Sequence, residues 1–263
     1  MNYDNNMYDN NDVLDDEIDN LINYELNNSN VNKYISLVHP DIDLKYNSLN
    51  IAIGKPGTSK TTTFMKTMIK LCELTNNHNY HMILYVSDTN SDDTVVKLMK
   101  YINIPMFHVT YDEFLDKFEK LIEIKQKYWS AIRSKNQQLV NQIAKSLFVK
   151  NNSPNVQTMV FCDDAGWIFD KNSPFKKYLC KLRHLQCTFW LNIQIWKSVD
   201  PEIKSLITSA YICKGYSRQQ LQQIYRQLSV PELFNNFYMK YHQLQDYQKL
   251  FVDNQDSIVK IVN

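Results

Sequence analysis

The sequence predicts an α/β fold: a central, mostly parallel sheet flanked by helices and closed by a C-terminal β-hairpin. Three observations predict it. First, an apolar run of strand character, Ile51-Ala52-Ile53, enters a Gly/Pro turn that ends in Lys60-Thr61 and opens a helical pattern from Phe64 to Leu71. Second, short apolar runs bounded by polar clusters recur at 81–88, 156–162, 187–193 and 209–214 with helical periodicity between them, as strands buried on both faces require. Third, the runs at 247–253 and 257–262 flank the turn Asn254-Gln255-Asp256 and read as a hairpin. A strand, helix, strand order implies a right-handed crossover and parallel pairing of the first run with the run at 81–88.

Taken in order, residues 1–30 are acidic and Asn/Asp-rich, with eight carboxylates and no Lys or Arg. The first dozen should be disordered, while the apolar spacing from Val13 to Leu26 fits one short amphipathic helix. Residues 31–263 read as one compact domain. Within it, 31–48 form a connector with one short strand, 91–103 are helical and 106–109 are a further strand. Residues 111–149 carry an amphipathic pattern without Gly or Pro, read as one or two helices that serve packing. A basic helix over 176–186 leads through Arg183-His184 into the run at 187–193. Asp200-Pro201-Glu202 is an N-cap with Pro at the first helical position, and Ser217 caps a helix to about 228. Residues 231–244 form another.

The net charge of +1 over 263 residues hides an asymmetry, because everything after residue 30 carries +9. That balance favours a polyanionic partner, nucleotide or nucleic acid, as much as it fits an ordinary lysine-rich surface. The five cysteines form no C-x-x-C pair, and four sit in apolar runs, which reads as a reduced, intracellular chain. The histidines stand at no metal-ligand spacing, so no structural zinc is expected. No apolar stretch is long enough to span a bilayer and no basic-then-apolar leader is present; a soluble protein without membrane contact is expected.

The chemistry concentrates at strand ends. Gly54, Lys55, Pro56, Gly57, Thr58, Ser59, Lys60, Thr61 and Thr62 have the order of a phosphate-binding P-loop. Backbone N–H groups and a helix N-terminus surround the phosphates, Lys60 reaches the terminal ones, and the Thr61 hydroxyl serves Mg²⁺. Ser59 stands where the motif has its second glycine, and Gly57 can supply a bend with positive φ. The run at 156–162, expected beside the P-loop strand, ends in Asp163-Asp164, where the first acid can hold the Mg²⁺ shell and the next can orient or deprotonate an attacking water. Asp164 in place of Glu shortens that reach by one methylene. The run at 187–193 ends in Gln194, either a plain strand-end amide or a group meeting the γ-phosphate.

These segments resemble the poxvirus-type genome-packaging ATPases of giant viruses and their small DNA-virus and virophage relatives, a branch of the FtsK/HerA superfamily. The resemblance rests on the GKPGTSKT loop, the VFCDD strand end, the Arg183-His184 pair before a strand ending in Gln194, and the segment from Glu202 to Tyr216. It covers roughly residues 45–260. It implies a RecA/FtsK-like P-loop NTPase fold and a ring motor, pentameric or hexameric, that hydrolyses ATP with Mg²⁺ and drives double-stranded DNA into a preformed capsid. Portal or vertex proteins of the capsid would be partners, and the host-cell cytoplasm at sites of virion assembly the location.

By position, the resemblance makes Lys60 the ligand of the β- and γ-oxygens, Thr61 and Asp163 the metal residues, Asp164 the residue polarising water and Gln194 the γ-phosphate sensor. Arg183 is the first candidate for an arginine acting on a neighbouring subunit, with Arg218 and Arg226 competing. Lys204 stands where family members often carry Arg. For gripping DNA, the candidates are residues 166–177, with Lys176 and Lys177, and Trp196-Lys197-Ser198. Two other functions use the same loop and acid: a nucleoside or nucleotide kinase, and a nucleotide-binding scaffold without turnover. A kinase needs a lid rich in arginine, whereas this chain has four, at 133, 183, 218 and 226.

Overall fold

The computed structural model describes residues 37–39, 42–75, 80–88, 95, 100–102, 104–149, 153–164, 166 and 169–263, all within the unit Leu37–Asn263. The expected helix at 13–26 and disorder before it lie outside the described residues, as do most of the expected helix at 91–103 and Trp167.

Among the described residues ten strands form two sheets. The connector carries two short strands rather than one, β1 (Leu37–His39) and β2 (Ile42–Lys45), which pair antiparallel apart from the main sheet. The main sheet contains β3 (Leu49–Ile53), β4 (Met82–Val86), β5 (Met106–Val109), β6 (Thr158–Cys162), β7 (Cys187–Ile193), β8 (Ser209–Cys213), β9 (Lys249–Asp253) and β10 (Ile258–Val262). Their order is β10-β9-β8-β3-β7-β6-β4-β5. The six from β8 to β5 are parallel, and β9 and β10 add the expected antiparallel hairpin.

The strand order departs from the sequence expectation in two places. The run at 81–88 is parallel to β3 but does not pair with it, because β7 and β6 lie between. For the same reason the strand ending in Asp163-Asp164 is not beside the P-loop strand: β7 separates them. Sequential adjacency is a tendency, and here the later strand takes the central place, with all seven of its residues, CTFWLNI, buried.

Helices cover both faces. The P-loop helix α1 (Lys60–Thr75) lays Phe64, Met65, Met68 and Leu71 on one face, where Phe64 stacks on Phe161 with ring centroids 3.8 Å apart and meets Trp190 edge-on at 5.4 Å. Burying a phenylalanine of this kind contributes roughly 1.5–3 kcal/mol. The other face receives α2 (Tyr111–Arg133), whose first turn bears Asp112 and Glu113 and whose last bears Arg133, a charge order that suits the helix dipole. Phe114 and Phe118 of α2 pack against Phe175 and Phe189 in this layer. The region 111–149 is thus two helices: α2 turns at Lys135, with φ of 55°, into α3 (Gln137–Ser146), capped by the Asn136 side chain.

Instead of one basic helix, 176–186 form two single turns, α4 (Lys176–Leu179) and α5 (Leu182–Leu185). Gln186 then takes a left-handed conformation, φ 48°, and turns the chain into β7. A buried lysine fixes that turn: Lys125 of α2 donates to the carbonyls of Leu185 at 2.7 Å and Gln186 at 3.1 Å. After β7 come a 3₁₀ turn (Trp196–Ser198) and α6 (Pro201–Ser205), N-capped by Asp200, which accepts from the Glu202 N–H at 2.7 Å. Beyond β8, α7 (Arg218–Gln227) opens with a capping box between Ser217 and Gln220, and α8 (Phe234–His242) follows. Cys72, Cys162, Cys187 and Cys213 are buried free thiols, and Cys180 is exposed.

Candidate functional site

Parallel pairing brings the C-terminal ends of β3, β6, β7 and β8 to one edge of the sheet, where open α/β folds place their ligands. The Gly54 N–H donates to the Ile193 carbonyl at 3.0 Å, so the P-loop leaves β3 against the end of β7. Gly54 is required by space: a Cβ there would stand 2.3 Å from Thr58 Oγ1 and 2.7 Å from Cys213 Cβ. Lys55, Pro56 and Gly57 are exposed at the tip, and Thr58 closes it by donating from its N–H and hydroxyl to the Lys55 carbonyl at 3.3 and 2.7 Å. Gly57 has φ of 74°, as expected. Ser59 also has a left-handed backbone, φ 63°, so it adopts a conformation natural to the glycine it replaces and bears the Cβ penalty.

Lys60 is buried, and its ammonium donates inward to the carbonyls of Gly54 at 2.9 Å and Lys55 at 3.1 Å. The Thr63 N–H donates to the Ser59 carbonyl at 2.9 Å. The N–H groups of Lys60, Thr61 and Thr62 come before that bond, at the positive end of the helix dipole. Backbone, dipole and one ammonium together can cradle an anion here.

Opposite the cradle, the Thr61 hydroxyl donates to Asp163 at 2.8 Å across the width of β7. Asn192 of β7 fills the interval: its amide donates to the other Asp163 oxygen at 2.7 Å and to Thr61 Oγ1 at 3.4 Å, and its carbonyl accepts from the Trp190 indole at 3.1 Å. Asn192 is fully buried, and sequence reading passed it over. The signal was an amide inside an otherwise apolar strand, a residue that needs partners wherever it is buried. A hydroxyl and a carboxylate converging beside the helix N-terminus form a hard-oxygen donor set, which fits Mg²⁺.

Asp164, exposed and with φ of 57°, accepts a hydrogen bond from the Gln194 amide. The two strand-end residues singled out in the sequence are therefore partners. Burial first, and then the nearby charges of Asp163 and Asp164, push the Tyr111 hydroxyl far above the ordinary tyrosine value, so it stays neutral. Burial likewise raises the Cys213 thiol beside the loop, partly offset by a hydrogen bond with Thr58 and by Lys249 and Lys60.

Lys60, Thr61, Asp163, Asp164 and Gln194 thus share one sheet edge. Arg183 does not join them: it is exposed in α5, before the start of β7, and the seven residues of that strand separate it from Gln194 by roughly 20 Å. Arg218 begins α7 and lies over the Tyr238 ring at 5.1 Å, while Arg226 is exposed in its last turn. Lys204 is buried over the Trp196 ring at 4.7 Å, and burial lowers its pKa. In the loop expected to grip DNA, Lys176 is paired with Asp200 at 3.0 Å and Glu202 at 3.1 Å, and Lys177 with Glu119 at 3.5 Å.

No protein-family model matches the chain, and no curated protein matches it. Solved structures do. The genome packaging NTPase B204 of Sulfolobus turreted icosahedral virus 2, in complex with AMPPCP, superposes with a TM-score of 0.56 at 16% identity over 82% of this chain and 97% of that one. ATPases 2 and 3 of EssC from Geobacillus thermodenitrificans give 0.50 at 11% identity over 79% of this chain and 38% of theirs. The pCW3 conjugation coupling protein TcpA, with ATPγS, gives 0.50 at 11% identity over 82% and 60%. The shared feature is the fold, an α/β P-loop NTPase fold, and it is the one the sequence resemblance implies. Among the described residues no helix is long and apolar enough to cross a membrane.

Proposed function

We propose that this chain is an ATPase of the genome-packaging branch of the FtsK/HerA superfamily, a motor that drives double-stranded DNA into a preformed capsid. The observation that carries the ATPase part is the pairing of Asp164 with Gln194 opposite the Lys60 and Thr61 end of the P-loop. The packaging part rests on the sequence resemblance, supported by a likeness in fold to B204 that spans nearly the whole of that chain.

In this reading the cradle from Gly54 to Thr62 binds the triphosphate, and Lys60 exchanges its loop carbonyls for phosphate oxygens. Thr61 and Asp163 hold Mg²⁺, which supplies charge neutralisation on the phosphates when bound. Asn192 fixes the rotamer of Asp163. Asp164 orients the attacking water and takes up its proton, while Gln194 reports the state of the terminal phosphate through its bond to Asp164. The position of Arg183, far from its own site and exposed, suits action on a neighbour in a ring of five or six subunits, with Arg218 and Arg226 as alternatives; such a residue is worth about 10³–10⁵ in rate. Capsid portal or vertex proteins and the cytoplasmic site of virion assembly complete the proposal.

The test is ATP hydrolysis with and without duplex DNA, on wild type and Asp164→Asn, with mass measured on the same samples. Hydrolysis that rises with DNA, is lost in the variant and accompanies a multi-subunit species is expected. A DNA-indifferent monomer that transfers phosphate to a nucleoside, or that binds ATP without turnover, would overturn the motor.

A further inference from the structure

We infer that the exposed amide face of α7, together with Lys197, is the surface that takes the sugar-phosphate backbone of duplex DNA. The inference rests on the motor reading above and adds the place of contact. Between Ile203 and Pro231 the chain contains no Asp or Glu but four basic residues, and α7 within it reads RQQLQQIYRQ. Leu221 and Ile224 are buried in the core, which turns Gln219, Gln220, Gln223 and Arg226 away from it. Two adjoining concavities run along this face, one of them reaching across to Lys197 and Ser217. No carboxylate lines either.

Three physical points favour a phosphate backbone as the occupant. Residues 219, 223 and 226 stand at spacings of four and three, so they align along one helix face over roughly 10 Å and offer repeated donors to a repeated acceptor. Side-chain amides bind phosphate oxygens without reading bases. A protein partner would need a buried apolar or aromatic anchor, and the exposed face of α7 offers only Gln and Arg. Neutral amides also bind phosphate more weakly than ammonium groups do, which suits a contact that is made and broken at each step.

The surface is wired to the nucleotide edge. Lys197 follows Gln194 by three residues and lies in the 3₁₀ turn Trp196–Ser198, and Ser198 of that turn donates to the Ile195 carbonyl at 2.7 Å and the Gly166 carbonyl at 3.3 Å, two residues beyond Asp164. Lys197 is exposed and has no ion pair among the described residues, unlike Lys176 and Lys177.

The experiment is anisotropy of a labelled, mixed-sequence DNA duplex over a range of salt, with wild type, the double variant Gln219→Glu/Gln223→Glu and the single variant Lys197→Gln. The double variant keeps side-chain size and sets two carboxylates against the phosphates; binding at low salt should fall at least tenfold, since like charges so placed repel. Lys197→Gln should reduce the slope of log affinity against log salt by about 1. Thermal unfolding midpoints should match wild type in both. Wild-type affinity and slope in the variants, with wild type itself binding duplex, would overturn this surface and leave the motor standing. Absence of duplex binding by wild type would overturn the motor and this surface with it.

Discussion

Thr61 and Asp163 are hydrogen-bonded at 2.8 Å although the strands that lead to them do not touch. The P-loop helix leans over β7 to meet the acid of β6, and that overhang brings together the two residues proposed to hold Mg²⁺. Asp163→Asn and Thr61→Ala should each lower ATP hydrolysis by about 10²–10³, the scale of removing one aimed electrostatic group. Raising Mg²⁺ should recover part of the Thr61→Ala loss. Hydrolysis at the wild-type rate in either variant would remove that residue from the metal site.

Asn192→Leu should reveal what the buried amide does. Leucine fills the same space but leaves the Trp190 indole without its acceptor and Asp163 without its amide donor. The Trp190 indole is the buried group left unpaired, at a cost of about 1–3 kcal/mol, while Asp163 keeps its bond from Thr61, so urea unfolding should show a loss of about 1–3 kcal/mol. ATP affinity should fall as well, because Asp163 loses its anchor. Unchanged stability with unchanged affinity would mean that Asn192 positions nothing.

Ser59→Gly should stabilise the protein modestly. A left-handed backbone costs a residue with a Cβ roughly 1–2 kcal/mol, and glycine returns roughly 0.5–1 kcal/mol through its freedom in the unfolded chain. A net gain of about 0.5 kcal/mol is left, readable as a raised thermal midpoint, with nucleotide binding retained. A loss of stability would show that the Ser59 side chain contributes more than its backbone costs.

Lys125 gives a pH signature. Burial lowers its ammonium pKa below the ordinary 10.5, so between the folded value and 10.5 the unfolded chain binds the extra proton. Stability from this group is therefore lowest and constant below the folded pKa and rises as pH climbs towards 10.5. Urea unfolding of wild type and Lys125→Met over that range should show wild type gaining on the variant with pH. Parallel curves would show that the buried ammonium carries no such penalty.

The phosphate loop, the acid pair and Gln194 were legible because their chemistry is local: a glycine turn, two adjacent carboxylates and a terminal amide can be seen without knowing which strands pair. Ser59 looked like a defect, since letters do not report a φ of 63°. Strand order was not legible. The run at 187–193 is apolar throughout, and nothing in its residues says that it enters between β3 and β6. Asn192 was hidden for the same reason, its importance depending on two neighbours that sequence does not place. Lys125 was hidden by its company, because in IEIKQKYW it resembles the solvated lysines on the polar face of α2, yet it is fully buried.

The central strand has a mechanical consequence. All seven residues of β7 are buried, and it joins the turn gripped by Lys125, beside exposed Arg183, to the edge where Asn192 and Gln194 stand. A close-packed interior transmits strain rather than absorbing it. The strand is a strut: a load applied at the Arg183 end has no slack in which to dissipate and is delivered, roughly 20 Å away, to the side chains that touch both acids.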